Sequence, residues 1–300
     1  MPAENMHADE VDTDVSLVGR LLAAQFPHWA DLPIEPVRSA GTDNALYRLG
    51  DDVVVRLPRI HWAVGGVNNA HEWLPRLAPL LPVAIPVPLA KGMPAEGYPW
   101  PWSVYPWLGG ENPTLDRIAD PDSLARDIAQ FVEALHRIGL AGGPPAGRGV
   151  PLGMRDDPTR TALAALRGMI DTDAATATWE AALRTPAWSG PPVWVHGDLS
   201  PGNLLLQGGQ LTGVIDFGGV GVGDPACDLI VAWNLLPAAA RRVFRAELGV
   251  DDAAWARGRG WALSVALIQL PYYRDANPAL AANARHVIRE VLADHASTFR

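Results

Sequence analysis

Residues 193–219 read VWVHGDLSPGNLLLQGGQLTGVIDFGG. His196, Asp198, Asn203 and Asp216 interrupt short runs of Val, Leu, Ile and Trp. Such runs, bounded by Gly and Pro, read as buried strands, and the polar residues fall in the loops that follow. Two strand-to-loop units in succession are expected to bring Asp198, Asn203 and Asp216 to one edge. Any one of these residues alone is accounted for as a turn residue, the ordinary role of Asp and Asn after a strand. The combination is harder to dismiss: Asp, then Asn after four intervening residues, then Asp-Phe-Gly beside a further apolar run.

Transfer of a phosphoryl group asks little covalent work of a protein. It needs a carboxylate to orient an acceptor hydroxyl and oxygen ligands to hold Mg²⁺ on the phosphates. Asn203 and Asp216 are a suitable pair of hard oxygen donors, and Asp198 is the carboxylate left for the acceptor. The spacing matches the catalytic loop and metal loop of protein kinases.

Outward from this stretch, the chain divides by character. Val15–Phe26 has helical spacing with Asp12 or Asp14 available as a cap. Asn44–Leu49 and Val53–Leu57, joined by Gly-Asp-Asp, read as a hairpin. Ala70–Leu81 has helical spacing weakened by Pro75 and Pro79, Pro82–Leu89 reads as an extended edge segment, and Trp102–Leu108 as a strand. Beyond Gly109-Gly110, Asp122–Ile138 is amphipathic, Ala141–Arg155 is a Gly/Pro-rich loop, Thr159–Ile170 and Ala174–Leu183 are helical, and the region after Asp224 is mostly helical. The expected fold is α+β: a β-rich N-terminal lobe over residues 1–108 and a mostly helical C-terminal lobe over 109–300.

Composition narrows the class. With 48% hydrophobic residues in 300, the chain is globular. A net charge of −9 argues against a nucleic-acid partner. No apolar run is long enough for a membrane span, and the acidic N-terminus resembles no signal peptide, so a cytoplasmic location is expected. The single cysteine, Cys227, excludes an internal disulfide and reads as a small packed residue.

HGDLSPGNLLL together with VIDFGGVGVGDPACDL resembles the aminoglycoside phosphotransferase family, the small-molecule branch of the kinase-like fold. GTDNALYRLGDDVVVRLPR (41–59) is similar to its nucleotide-loop hairpin, WSVYPWLGGE (102–111) to its inter-lobe hinge, and YYRDANP (272–278) to a segment near the end of many bacterial members. The resemblance implies a bilobal protein-kinase-like fold, with ATP or GTP as co-substrate and Mg²⁺ on Asn203 and Asp216. It makes Asp198 the catalytic base and His196 a structural member of the catalytic loop. Asp228 would brace that loop through backbone amides, and Asp224 would fix the following turn.

The family's phosphate-clamp cation is usually Lys, but the only lysine, Lys91, lies beyond the candidate helix. The matching position holds Arg56. A helix acid should orient it, and Glu72 is the only one in the segment, although the family carries its Glu about two positions earlier, where Ala70 stands. Residues two apart on a helix are separated by about 200° and cannot both face the same cation. Thr42, Asp43 and Asn44 would cover the phosphates. Tyr105 and Trp107 would offer backbone groups to the base edge. Gln269, Tyr272, Tyr273 and Asp275 are candidates for the acceptor side, where an aminoglycoside would require convergent carboxylates. Trp233, Trp255 and Trp261 either line a less polar pocket or simply pack helices. The expected activity is phosphate transfer to a hydroxylated small molecule, an aminoglycoside-type or other antibiotic. The alternatives are a metabolic kinase for choline, homoserine or a sugar, and a silent nucleotide binder. A monomer or homodimer is expected.

Overall fold

The computed structural model describes residues 10–37 and 43–298. Thr42 therefore lies outside the described residues. The chain folds as two compact units. One gathers the described residues up to Pro79 with Ala84–Gly109 and Gly213–Gly218; the other holds Leu80–Val83, Gly110–Thr212 and the remainder from Gly219.

The first unit opens with helix α1, Val15–Gln25, capped by Asp14, whose Oδ1 accepts from the Leu17 amide at 2.6 Å. An antiparallel sheet of order β1-β2-β3-β5-β4 follows, built from β1 (Ile34–Pro36), β2 (Asn44–Leu49), β3 (Val53–Pro58), β4 (Ala90–Gly92) and β5 (Trp102–Pro106). The period-2 alternation of a strand sorts side chains between the faces. Tyr47, Leu49, Val53, Val55, Leu57, Trp102 and Val104 pack on Leu17, Val18, Leu21 and Leu22 of α1 as one core. Arg56 and Ser103, which are register partners, therefore point to the opposite face. There His71 of helix α2, Val64–Leu77, bonds to Ser103 Oγ at 3.1 Å.

Three differences from the sequence-based expectation have physical causes. Helix α2 starts at Val64, six residues before Ala70, although Gly65 and Gly66 are poor helix formers. A Cβ on Gly66 would stand 3.3 Å from the Gly218 carbonyl oxygen, so glycine there admits close passage of the 216–218 segment. The helix stops at Leu77 and passes into a short 3₁₀ turn, Ala78–Leu80, because Pro79 has no N–H to continue the α-helical ladder. The prolines of the 82–89 segment lack the N–H groups a ladder needs, and that stretch forms an isolated bridge from Ala84 to Gly213 and a single bond from the Leu89 amide to the Val104 carbonyl at 2.8 Å.

The second unit is mostly helical: α3 (Pro121–His136), α4 (Asp156–Ala165), α5 (Thr172–Leu183), α6 (Val231–Asn234), α7 (Ala238–Leu248), α8 (Asp252–Tyr273) and α9 (Pro278–Ser297). Short strands β6 (Val193–Val195) and β9 (Gly221–Gly223) pair with each other, so β6 does not pair with the strand that follows it. Strands β7 (Leu204–Gln207) and β8 (Gln210–Val214) form a hairpin across Gly208-Gly209. Both glycines have positive φ, 59° and 85°, as a type I′ turn requires. Trp233, Trp255 and Trp261 are all buried, the helix-packing alternative of the two readings. Among the described residues no helix is long and apolar enough to cross a membrane.

Candidate active site

The second unit carries the loop from His196 to Asn203. Asp228, fully buried, accepts from the Gly197 amide at 2.7 Å through Oδ1 and from the His196 amide at 3.0 Å through Oδ2. His136, at the end of α3, approaches Asp228 Oδ2 at 3.1 Å. A buried carboxylate with three hydrogen-bonding partners is a strong fixture, because hydrogen bonds to a charged group are worth about 1.5–3 kcal/mol each. His196 is also fully buried, and its Nδ1 accepts from the Asp198 amide at 3.1 Å. Gly197 has φ +79°, a left-handed conformation that the glycine of His-Gly-Asp supplies without strain.

Asn203 closes the loop by donating from Nδ2 to the Asp198 carbonyl at 2.8 Å. With the amide nitrogen so engaged, Asn203 Oδ1 is the atom left as a hard oxygen donor, which suits a Mg²⁺ ligand. Two fixtures had no sequence signal beyond residue type. Asn112 donates to the carbonyls of Gly202 and Leu204 at 3.0 and 2.8 Å. Arg148 donates to the Gly197 carbonyl at 2.9 Å and pairs with Asp198 Oδ1. Asp224 caps the turn Pro225–Ile230 by accepting from the Ala226 amide at 2.9 Å, and it holds buried Arg257 at 2.8 Å. Burial, with Asp228 and Asp224 nearby, pushes the Cys227 thiol well above its ordinary range, which leaves it inert.

The first unit carries Asp216 and Arg56, joined at 2.6 Å between Oδ1 and Nη2. Asp216 has φ +63°, one of two non-glycine residues with positive φ among those described. Burial acts most strongly, to lower the Arg56 guanidinium, but the facing Asp216 carboxylate together with Tyr105 and Asp43 holds the group above its ordinary value. Glu72 does not join this pair. It is exposed on α2 while Ala70 is buried, the opposed placement that helix geometry requires of residues two apart. Arg56 thus takes its carboxylate from Asp216.

Asp43 accepts from Trp62 Nε1 at 3.0 Å, and Asn44 begins β2 opposite Pro58. Tyr105 is buried in β5 opposite Val54. The Trp107 amide donates to the Asp52 carbonyl at 2.7 Å, so that amide is engaged within the unit and is not the free donor expected for a base edge. On the expected acceptor side, Tyr272 is exposed and packs edge-on against Tyr273 with ring centroids 4.8 Å apart, Gln269 is half-buried, and Asp275 pairs with Arg274.

The β-rich first unit, the helical second unit and a braced His-Gly-Asp loop define a kinase-like α+β protein. The sequence profile of the phosphotransferase enzyme family matches residues 34–261, more than half of the chain, and the chain belongs to that family. An aminoglycoside 3'-phosphotransferase of Escherichia coli is 40% identical over 78 residues, 25% of this chain and 28% of the relative. The match thus spans well under half of that relative's length. Among solved structures, the GDP complex of wild-type aminoglycoside 2'-phosphotransferase-IIIa superposes with a TM-score of 0.72 at 20% identity, covering 94% of this chain and 100% of the other. Macrolide 2'-phosphotransferase MphH from Brachybacterium faecium gives 0.60 at 22% identity, covering 92% and 97%. At these identities the likeness is one of fold.

Proposed function

We propose that the protein moves the γ-phosphate of ATP or GTP to a hydroxyl of a small molecule, with Asp198 as the base. The observation that carries this reading is the construction of the His196–Asn203 loop. Buried Asp228 fixes its two leading amides, while Asp198 itself stays partly exposed, its Oδ1 paired with Arg148 and its Oδ2 3.5 Å from Asn203 Nδ2. In the reaction the acceptor oxygen bonds to Pγ, the bond from Pγ to the β,γ-bridging oxygen breaks, and the nucleoside diphosphate leaves. The hydroxyl proton passes to Asp198. Asn203 and Asp216 would hold Mg²⁺, an assignment that rests on their hard oxygen donors and on the sequence motif. When bound, the ion neutralises charge on the phosphates. Arg56 would contact the phosphates, and Asp43 and Asn44, at the start of the β2–β3 hairpin, would cover them.

The aminoglycosides and macrolides of the similar enzymes are the first antibiotic acceptors to screen, with choline, homoserine and sugars as the metabolic alternatives. Mg·ATP and Mg·GTP are each expected to raise the unfolding midpoint, because a ligand that binds only the folded state stabilises it. Asp198→Ala should lower turnover by at least about 100-fold and keep that nucleotide shift. Retained turnover in this variant would remove Asp198 from the reaction. A nucleotide shift with no transfer to any acceptor would favour the silent nucleotide binder.

A further inference from the structure

The Gly/Pro-rich stretch 141–155 reads as a surface loop, yet its middle is tied to β9 and its flanks, all within the second unit. The Val222 amide donates to the Pro144 carbonyl at 2.8 Å, and the Ala146 amide to the Val222 carbonyl at 3.1 Å. The Gly147 amide donates to the Gly219 carbonyl at 3.1 Å, and the Asp224 amide to the Gly149 carbonyl at 2.8 Å. Arg148 stands between the last two ties, so its backbone is placed without help from its side chain. That backbone packs over the His-Gly-Asp turn: a Cβ on Gly197 would stand 3.5 Å from the Arg148 Cβ and 3.7 Å from its amide nitrogen. From there one nitrogen, Nη1, donates both to the Gly197 carbonyl at 2.9 Å and to Asp198 Oδ1.

The loop does not need this contact to keep its shape. Asp228 holds the amides of His196 and Gly197, Asn203 holds the Asp198 carbonyl, and Asn112 holds the carbonyls of Gly202 and Leu204. The Arg148–Asp198 pair is also partly exposed, 28% and 41% by side chain, and ion pairs so exposed add little to stability. What the guanidinium does fix is the Asp198 carboxylate. Among the described residues, the other side chain at that carboxylate is Asn203, whose Nδ2 lies 3.5 Å from Oδ2, at the outer limit of a hydrogen bond. An aspartate held no more firmly than that would exchange between staggered rotamers. With Oδ1 engaged by Arg148, Oδ2 is left as the oxygen for an acceptor hydroxyl.

We propose that Arg148 is a positioning residue for phosphate transfer: by holding Asp198 Oδ1 and the Gly197 carbonyl from one nitrogen, it presents Oδ2 to the acceptor hydroxyl. The inference rests on the phosphotransferase reading and adds to it a residue that lies outside the His-Gly-Asp motif. Phosphoryl transfer depends chiefly on how the reacting groups are placed, and a displacement of about 1 Å can cost about 100-fold in rate.

The test measures phosphate transfer from Mg·ATP and Mg·GTP to kanamycin, erythromycin, choline, homoserine and glucose, and to water as nucleotide hydrolysis. In Arg148→Ala, kcat should fall about 10- to 100-fold with KM for nucleotide changed by less than about twofold, and the nucleotide midpoint shift should remain. Arg148→Lys should recover part of the loss, because an ammonium supplies the charge without the planar fork. Millimolar guanidinium, compared with sodium at equal ionic strength, should raise kcat of Arg148→Ala and leave the unmodified protein and Asp198→Ala unchanged. Added to Asp198→Ala, Arg148→Ala should cause no further loss, since both act through one carboxylate. Four results overturn the inference and leave the phosphotransferase reading standing: an unchanged kcat in Arg148→Ala, a further loss in the double variant, no recovery by either lysine or guanidinium, or loss of the nucleotide shift in both Arg148→Ala and Arg148→Lys, which would make the guanidinium a fixture of the fold. Absence of transfer to every acceptor, water included, in the unmodified protein overturns both.

Discussion

Asp216 combines a backbone conformation and a charge pairing that a purely structural residue rarely needs together. Left-handed φ costs an L-residue roughly 1–2 kcal/mol, less for Asp and Asn, whose short side chains bond locally. The pair with Arg56 is partly exposed on both sides, 20% and 39%, so it contributes at most about 1 kcal/mol. Asp216→Asn keeps the shape and the tolerance for positive φ while removing the anion. The expected outcome is a stability change below about 1 kcal/mol in denaturant unfolding with turnover reduced by roughly 10- to 100-fold. A large loss of stability with turnover preserved would make Asp216 an anchor for Arg56 and nothing more.

At the scale of elements, the His196–Asn203 loop is a short irregular segment whose geometry is imposed by neighbours distant in sequence. Asp228 comes from the turn Pro225–Ile230, His136 from the end of α3, and Asn112 from the stretch that bridges to β7 through paired Glu111 and Leu206 bonds at 2.9 Å. Asp228 is the centre of this arrangement, since both its oxygens accept from loop amides. In Asp228→Asn, one of those amides would face an NH₂ group. The variant should lose about 1–3 kcal/mol of stability and show reduced kcat with little change in KM for nucleotide. An unchanged kcat would separate the brace from the chemistry.

At the scale of the molecule, three imidazoles share one electrostatic bias. His71 is held below its ordinary value by burial and then by Lys91, His286 mainly by burial, and His295 by burial and then by Arg259. The folded protein therefore keeps them neutral to lower pH than the unfolded chain does. Below about pH 6.5 the unfolded chain takes up these protons first, so their contribution is complete above that pH and is lost as the pH falls through the folded values. The unfolding midpoint should fall as the pH is lowered from about 7.5 to about 5.5, the range in which imidazoles titrate, and His71→Gln should flatten the slope. A midpoint independent of pH across that window would show that the imidazoles titrate alike in both states.

Much of this protein is legible in local sequence, because periodicity and turn chemistry act over a few residues. The β2–β3 hairpin, α1 with its Asp14 cap, α3, and the placement of Asp198 and Asn203 in one loop after a strand all follow from that local physics. Three-residue strands such as β1 and β4 are too short to carry a period, and the early start of α2 depends on a glycine packed against the Gly218 backbone. Partner choice also depends on approach in space. The family resemblance marked Arg56 as a clamp and left Glu72 as the candidate acid to orient it; only the folded chain joins Arg56 to Asp216, and Arg148 to Asp198, across 160 and 50 residues. By itself the sequence determined the family and the strand-and-loop scaffold that presents its motif. The tertiary structure decided which charges meet, because ion pairing depends on distance and desolvation, and neither is encoded in spacing along the chain.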